Sequence, residues 1–148
     1  MKKIIFILLL LVCLLILAAI NFNSSQNKSY VLIDNKKYYV DVARTQIEQG
    51  KGLAIYEGIP QDKGMIFPFS SPDYYTFWMK DMRFPIDIIY INRNKIVDIF
   101  NSVPAPKSEN QMLPIYRPKE KADMVLEINA GQSKKYNFKI GDVIKINY

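Results

Sequence analysis

The chain has 148 residues, with 20 Lys and Arg, 14 Asp and Glu, no His, one Cys and one Trp. This length suits one compact domain, and 49% apolar with 23% charged residues is a globular composition rather than a disordered one. The lack of His excludes Ser-His-Asp and Cys-His catalysis and His-ligated metals. Cys13, the only thiol, lies in the most apolar stretch, so neither an internal disulfide nor a Cys-ligated zinc is expected. We therefore predict no cofactor and no metal site.

The first twenty residues indicate a membrane segment. Lys2 and Lys3 precede an uncharged apolar run, 4–20, which has the length of a short bilayer-spanning helix. Lysines ahead of the run favour a cytoplasmic amino end, so the rest would be exported from a single-pass protein of the cell membrane. A signal peptide cut near Ala19 is the alternative, and it would leave a secreted or periplasmic domain. The predicted anchor or signal segment, polar linker and exported domain are 1–20, 21–29 and 30–148.

The exported part carries a mild basic excess that is spread along the chain, which gives no support for nucleic-acid binding. At its start, β-forming residues in Tyr30–Ile33 and Lys37–Val42 flank turn formers and predict a β-hairpin. Residues 43–54 have helical spacing. Thr45 is the predicted cap of this helix, with Glu48 as its capping-box partner.

The remainder of the chain is rich in strand patterns. The predicted strands are Met65–Phe69, Tyr74–Met79, Ile86–Ile91, Ile96–Val103, Asp123–Asn129 and Asp142–Asn147. Asn92-Arg93-Asn94 predicts a hairpin turn, since Asn tolerates a positive φ. Prolines bracket an irregular stretch, 104–121, and a short helix is expected near 131–137. The fold class is therefore α+β: a β-rich single domain with a mostly antiparallel curled sheet or open barrel and one or two short helices.

Asp87 is the most unusual residue of the predicted strands, because apolar residues surround it on both faces. A buried carboxylate needs a partner, a set of hydrogen bonds or a proton. Lys80 and Arg83 are close enough in sequence to be that partner, and Arg fits a bidentate pair better. A functional interpretation makes Asp87 an acid or base of raised pKa. The structural interpretation is an ion pair, or a carboxylate that accepts hydrogen bonds from loop amides.

Two further residues carry alternative interpretations. Trp78 could stack on a sugar or seat a ligand, whereas a single Trp is more often a core residue. Glu127 interrupts an apolar strand as Asp87 does. Two carboxylates on neighbouring strands would resemble a glycosidase pair, although sequence gives no separation between them.

A set of short motifs resembles one known family. They are Gly52-Leu53, Gly64-Met65-Ile66-Phe67 with Phe69, Phe77-Trp78-Met79-Lys80-Asp81, Pro85-Ile86-Asp87-Ile88-Ile89-Tyr90-Ile91, Val125-Leu126-Glu127-Ile128-Asn129-Ala130-Gly131 and Gly141-Asp142. In this order and spacing they resemble the "domain of unknown function 192" family over about residues 37–147. The resemblance implies a compact, β-rich α+β fold in small prokaryotic domains that often follow a signal or a membrane anchor. It implies no established reaction, substrate or cofactor.

The matching positions single out Trp78, Lys80, Asp87 and Glu127 as site candidates. The sequence also departs from the family pattern. Ala54-Ile55-Tyr56-Glu57 stands where the family commonly has Met, an aromatic residue and Arg, and Asp81 stands where it has Asn. We therefore take Trp78, Lys80, Asp81 and Arg83 as ligand-binding candidates, and Asp87 and Glu127 as candidate catalytic residues without an assigned reaction.

The expected function is that of a binding or accessory module of the bacterial cell envelope, tethered through residues 4–20, with an envelope ligand or protein as its partner and no enzymatic activity. The alternative is a hydrolase or transferase acting on an envelope glycan, with Asp87 and Glu127 as its carboxylates and Trp78 as a platform. A third interpretation is purely structural: Asp87 and Lys80 hold the sheet, and partners bind elsewhere, at the loop 104–121.

Overall fold

The computed structural model describes residues 2–26, 28–108 and 110–148. Its helices are α1 (Lys2–Gln26), α2 (Gln46–Lys51) and α3 (Gln132–Lys135), and a 3₁₀ turn covers Gly52–Ile55. Its strands are β1 (Tyr30–Ile33), β2 (Lys36–Val42), β3 (Lys63–Asp73), β4 (Ile86–Asn92), β5 (Lys95–Val103), β6 (Ala122–Asn129) and β7 (Ile144–Asn147).

The described strands form one seven-stranded sheet in the order β5-β4-β6-β3-β2-β1-β7. β2 and β3 run parallel, and the other neighbouring strands run antiparallel. The sheet curls until its two edges meet. Ile96 N–H donates to Asp142 O over 3.0 Å, and Ile144 N–H donates to Asn94 O over 2.9 Å. The predicted β-rich, mostly antiparallel curled sheet with short helices is therefore confirmed.

Apolar side chains cover both faces of the central strands. The burial of β4 along nearly its whole length shows this, since its successive side chains point to opposite faces. An interior core fills the curl with residues from every strand, among them Val31, Tyr38, Ile66, Ile89 and Leu126. An outer core lies on the opposite face. It combines sheet residues with loop residues, among them Phe67, Ile88, Tyr90, Leu53 and Met79. The loops that carry Leu53 and Met79 form the layer in which the candidate site is found.

Local signals in the sequence predict the start of α2 and the turn between β4 and β5 correctly. Thr45 caps α2, and Glu48 completes the capping box as predicted. The helix ends at Lys51 rather than at residue 54, because Gly52 adopts a φ of 50° and a ψ of −145°, outside the helical region. In the hairpin turn between β4 and β5, Arg93 and Asn94 have φ of 49° and 62°.

The predicted strand Tyr74–Met79 is wrong. Only Phe77 pairs there, in an isolated bridge to Tyr116. The nearby strands β3 and β6 already have neighbours on both sides, so the sheet offers this segment no edge. The segment crosses the outer face instead, and Phe77 packs edge-on against Phe67 and Tyr90.

The amino-terminal helix α1 runs from Lys2 to Gln26, into the predicted linker 21–29. Residues 5–17 are exposed. No helix in the described part of the chain is both long and apolar enough to cross a membrane. The predicted anchor, 4–20, includes positions 4 and 18–20, whose side chains lie outside the described residues, as does the side chain at the predicted cleavage site, Ala19.

Candidate functional site

A cleft of about 270 Å³ opens on the outer face of the sheet, where the end of α2 and the segment 75–82 pass over β3 and β6. Its polar and backbone lining comes from Gln49, Gly50, Lys51, Gly52, Thr76, Lys80 and Glu127. Its apolar lining comes from Leu53, Phe67, Phe69, Tyr75, Phe77, Trp78 and Met82. We call it the Glu127 cleft.

Glu127 lies on β6 between Met65 of β3 and Ile88 of β4. Its side chain is only 5% exposed. The backbone amide of Leu53 lies close enough to the carboxyl group to favour its charged form, and Oε2 has no hydrogen-bond partner among the described residues. Burial raises the pKa of Glu127 to about 8, because removal from water penalises the charged form. At neutral pH the group is therefore mostly a neutral carboxylic acid that can donate a hydrogen bond.

Gly52 allows the chain to pass close to this carboxyl group. Its backbone conformation, with positive φ and extended ψ, is one that essentially only glycine adopts. A Cβ at Gly52 would lie 3.5 Å from the Phe67 ring and 3.6 Å from Glu127 Oε2. Because Gly52 has no side chain, the backbone can place the Leu53 amide beside Glu127 while the cleft stays open.

Aromatic rings form the walls of the cleft. Phe67 and Phe77 meet edge to face with ring centroids 5.0 Å apart, and Phe69 stacks on Tyr75 with centroids 3.6 Å apart. Trp78 is 55% exposed at the rim, so its interpretation as a core residue is wrong. Such walls favour a ligand with a flat or apolar part.

A wider open groove of about 860 Å³ adjoins the cleft. The two cavities share Trp78, Lys80 and Met82. Lys80 Nζ lies 5.7 Å from the centroid of the Trp78 ring. The remaining groove lining comes from Asp81 and Arg83 and from the proline-bracketed loop, through Pro106, Lys107, Ser108, Gln111, Leu113 and Ile115. All four predicted ligand-binding residues, Trp78, Lys80, Asp81 and Arg83, therefore line one continuous surface.

Asp87 lies elsewhere. It is fully buried, and it accepts hydrogen bonds from the backbone N–H groups of Ser102 at 2.7 Å, Gly131 at 2.8 Å and Ser133 at 2.7 Å. Neither Lys80 nor Arg83 is its partner, as Arg83 forms an exposed ion pair with Glu57 instead. The predicted alternative, a carboxylate that accepts hydrogen bonds from backbone amides, is the one found, although only Gly131 lies in a loop, since Ser102 is on β5 and Ser133 is in α3.

Comparison with known proteins identifies the domain. The model of the DUF192 family, described as "Uncharacterized ACR", matches residues 30–146. The chain belongs to the DUF192 family. The resemblance noted in the sequence is thus confirmed.

Two solved structures are similar to this DUF192 domain. A Novosphingobium aromaticivorans protein of unknown function is 27% identical with a TM-score of 0.67, and the match covers 80% of this chain and 83% of that one. A Sinorhizobium meliloti protein, described as a candidate transcription regulator, is 24% identical with a TM-score of 0.68, covering 80% and 92%. At that identity the second shows the fold alone. No protein of curated function matches the chain.

The two carboxylates of the DUF192 domain do not form a glycosidase-type pair. Asp87 is opposite Ile128 in the register between β4 and β6, whereas Glu127 is opposite Ile88. Adjacent positions of a strand point to opposite faces, so Asp87 faces the side of the interior core and Glu127 faces the outer core. A hydrolase that uses both groups across one scissile bond needs them in a single cleft, which this sheet does not provide.

Sequence reasoning did not find the aromatic walls or Gly52 as part of the site. A glycine directly after a capped helix was the available signal for Gly52. The walls bring together Phe67 of β3 and Phe77 of the crossing segment, which only the tertiary fold makes neighbours. Within the described residues, no group of three or more His, Cys, Asp or Glu side chains could hold a metal ion.

The departures from the family pattern form contacts of their own. Tyr56 O–H donates to Asp41 Oδ2 over 2.5 Å, and Lys63 Nζ pairs with the same oxygen at 3.0 Å. Glu57 is the partner of Arg83. The contacts of Tyr56 hold the segment after the 3₁₀ turn against Asp41 of β2 and Lys63 of β3, beside the cleft rather than in it.

Proposed function

We propose that this domain is a ligand-binding module whose ligand occupies the Glu127 cleft. The observation that carries the proposal is the buried carboxyl oxygen Oε2 of Glu127, which has no hydrogen-bond partner among the described residues and lies in an aromatic cleft open at Trp78. A buried polar atom without a partner costs about 1–3 kcal/mol. A bound ligand that supplies the missing hydrogen bond would recover that cost.

The position of Trp78 makes the proposal directly testable. Trp78 is the only tryptophan of the chain and lies at the rim of the cleft, so its fluorescence reports occupancy. In a screen of small fragments against the full chain in detergent, hits should change this fluorescence and shift the NMR signals of Leu53 and Gly52. Glu127→Met, which fills similar volume without a polar atom, should lose these hits.

A matched control is Asp81→Asn, which changes a carboxylate of the neighbouring groove and leaves the cleft lining intact. Cleft hits should survive this change. Hits that persist in Glu127→Met, or that map away from the cleft, would contradict the proposal.

We further infer that the module is tethered to the outer side of a cell membrane and acts in the envelope. Support for the tether comes from the sequence, which has an uncharged apolar run, 4–20, behind Lys2 and Lys3. The full chain should remain in the membrane fraction after alkaline washing and be accessible to protease from outside the cell. Leu9→Arg combined with Leu14→Arg should release it, since each central charge costs about 2.5–3.5 kcal/mol of insertion free energy.

The intact mass of the chain separates this tether from the alternative. An uncut mass in the membrane fraction supports an anchor, and a mass lacking the first 19 residues supports a signal peptide cut near Ala19. Full-length chain in the cytosolic fraction would contradict both.

A further inference from the structure

The charges around the Glu127 cleft are predominantly basic. Lys51 comes from α2 and Lys80 from the crossing segment, and Glu127 is the only acidic side chain in the described lining. The adjoining groove adds Lys107 against Asp81, while its Arg83 is paired with Glu57. A ligand that enters past Trp78 therefore meets more positive than negative charge, which favours an anion over a cation.

Building on the proposed function, we propose that the Glu127 cleft binds an apolar, ring-bearing carboxylate, with the Glu127 carboxylic acid donating its O–H to the ligand and Lys80 providing the counter-charge. The ring would lie between the Phe67–Phe77 and Phe69–Tyr75 pairs. The ligand carboxylate would take the hydrogen bond that Oε2 lacks.

The size of the cleft agrees with such a ligand. An apolar cavity of roughly 150 Å³ holds one benzene ring, so about 270 Å³ admits one ring and a short acidic tail. The edge-to-face and stacked wall pairs leave ring faces and edges for further aromatic contact. A long or branched molecule would have to continue past Trp78 into the groove.

The protonation state of Glu127 makes the pH dependence of binding different for a carboxylate ligand and for a cationic one. The titratable groups facing it are Lys51 and Lys80 at the rim, Tyr75 in the wall and Tyr90 of β4, whose pKa burial raises. Burial also raises the pKa of Glu127, to about 8. Near neutral pH the acid donates to an anion, and above that pKa two carboxylates would repel each other. A cationic ligand would show the opposite dependence.

The test uses three probes of nearly equal shape: 3-phenylpropionate, 3-phenylpropanamide and 3-phenylpropylamine. Each is titrated into the full chain in detergent, with Trp78 fluorescence as the readout. We expect the acid to bind most tightly. Its affinity should fall about tenfold between about pH 7 and about pH 9, as the protonated fraction of a group with a pKa of about 8 falls.

Two variants separate the contributions. Glu127→Gln keeps a hydrogen-bond donor but cannot ionise, so its affinity for the acid should stay constant over this pH range. Lys80→Gln should weaken binding of the acid several-fold and leave binding of the amide unchanged, because only the acid needs a counter-charge. If Glu127→Gln does not fold, the Lys80→Gln comparison and the pH series of the wild type still decide the question.

The outcomes distinguish this inference from the proposed function. If the amine binds most tightly, or if affinity for the acid rises with pH, the ligand class is wrong while the cleft remains a binding site. If none of the probes affects Trp78 and no other fragment enters the cleft, the proposed function itself fails.

A free small acid and the carboxyl terminus of a peptide share this chemistry. Acetyl-Gly-Gly-Phe with a free carboxyl terminus tests the second source, with the amidated peptide as its control. Binding of the free peptide as tight as that of 3-phenylpropionate would indicate a chain terminus, and binding of the phenylpropionate alone would indicate a small acid.

Discussion

Asp87 and Glu127 are both buried carboxyl groups on adjacent central strands, yet their surroundings differ. Asp87 accepts three backbone hydrogen bonds and joins the end of β5 to the start of α3. Glu127 lies beside the backbone amide of Leu53, and its Oε2 has no hydrogen-bond partner among the described residues. A fully bonded carboxylate stabilises the scaffold, whereas a buried carboxyl group with an unpartnered oxygen costs free energy.

We predict that Asp87→Asn lowers the free energy of unfolding by about 3–5 kcal/mol, since hydrogen bonds to a charged acceptor contribute about 1.5–3 kcal/mol each and the amide provides only one acceptor oxygen. Urea unfolding of the full chain in detergent measures the loss. Asp62→Asn, at an exposed carboxylate, is the control and should change little. An equal stability of Asp87→Asn and wild type would mean that the amides find other acceptors.

The pH dependence of stability should reveal Glu127. Its pKa is raised from 4.5 to about 8, so the folded chain holds the proton more tightly than the unfolded chain does. The stability that this provides is complete below the unfolded pKa and is lost as the pH rises through the folded pKa. Between pH 4.5 and about pH 8, the free energy of unfolding of wild type should therefore fall by on the order of a few kcal/mol.

Urea unfolding at several pH values checks this expectation. Glu127→Gln should flatten the decline, and Glu120→Gln, at an exposed position, should not. If the free energy of unfolding of Glu127→Gln falls with pH as that of wild type does, another titratable group causes the fall.

At the scale of elements, α2 positions one wall of the cleft. Thr45 Oγ1 accepts from Glu48 N–H, and the Glu48 carboxylate accepts from Thr45 N–H at 2.8 Å. We predict that Thr45→Ala destabilises the protein by about 1 kcal/mol through loss of this cap, and that it broadens the NMR signals of Gly52 and Leu53. Thr76→Ala, which leaves the cap intact, is the comparison. Sharp, unshifted signals in Thr45→Ala would show that α2 does not hold that wall.

β3 and β6 approach each other closely at Gly64. A Cβ there would lie 2.5 Å from the backbone oxygen of Glu127 and 2.9 Å from Ile128 Cγ2. Gly64→Ala must therefore push the strands apart, at a cost of about 1–3 kcal/mol. Gly50→Ala is a useful opposite, since no described atom lies within 4 Å of its Cβ, and it should stabilise α2 by up to about 1 kcal/mol. Thermal unfolding should therefore show a lower melting temperature for Gly64→Ala and a higher one for Gly50→Ala.

Most strands and α2 could be predicted from sequence, because alternation and capping are local patterns. The segment Tyr74–Met79 could not, since its alternation is the same whether it joins a sheet or crosses one. The partner of Asp87 was also out of reach, because Ser102, Gly131 and Ser133 become its neighbours only through the fold. Glu127 could be singled out as unusual for its strand, but its cleft could not, as the walls come from distant segments.

At the scale of the whole molecule, the meeting of β5 and β7 covers strand edges that would otherwise be open to other chains. Ile144 N–H closes this seam by donating to Asn94 O over 2.9 Å. We predict that Ile144→Pro, which removes the donor, costs about 3 kcal/mol or more and promotes self-association. Ile144→Val keeps the donor and should cost only about 0.5–1.5 kcal/mol. Urea unfolding measures the loss of stability, and size-exclusion chromatography detects self-association. An Ile144→Pro variant that is monomeric and as stable as wild type would show that this contact between β5 and β7 is not needed.

The separation between the interior core and the Glu127 cleft has an evolutionary consequence. Among the described residues, the interior core and the cleft lining share no side chain. Under the proposed function, substitutions at Lys51, Thr76 or Trp78 would alter ligand preference and leave the packing inside the curl untouched. On this proposal the same curled sheet can change its ligand during evolution without losing the interior core, so orthologous domains with matching interiors need not recognise the same molecule.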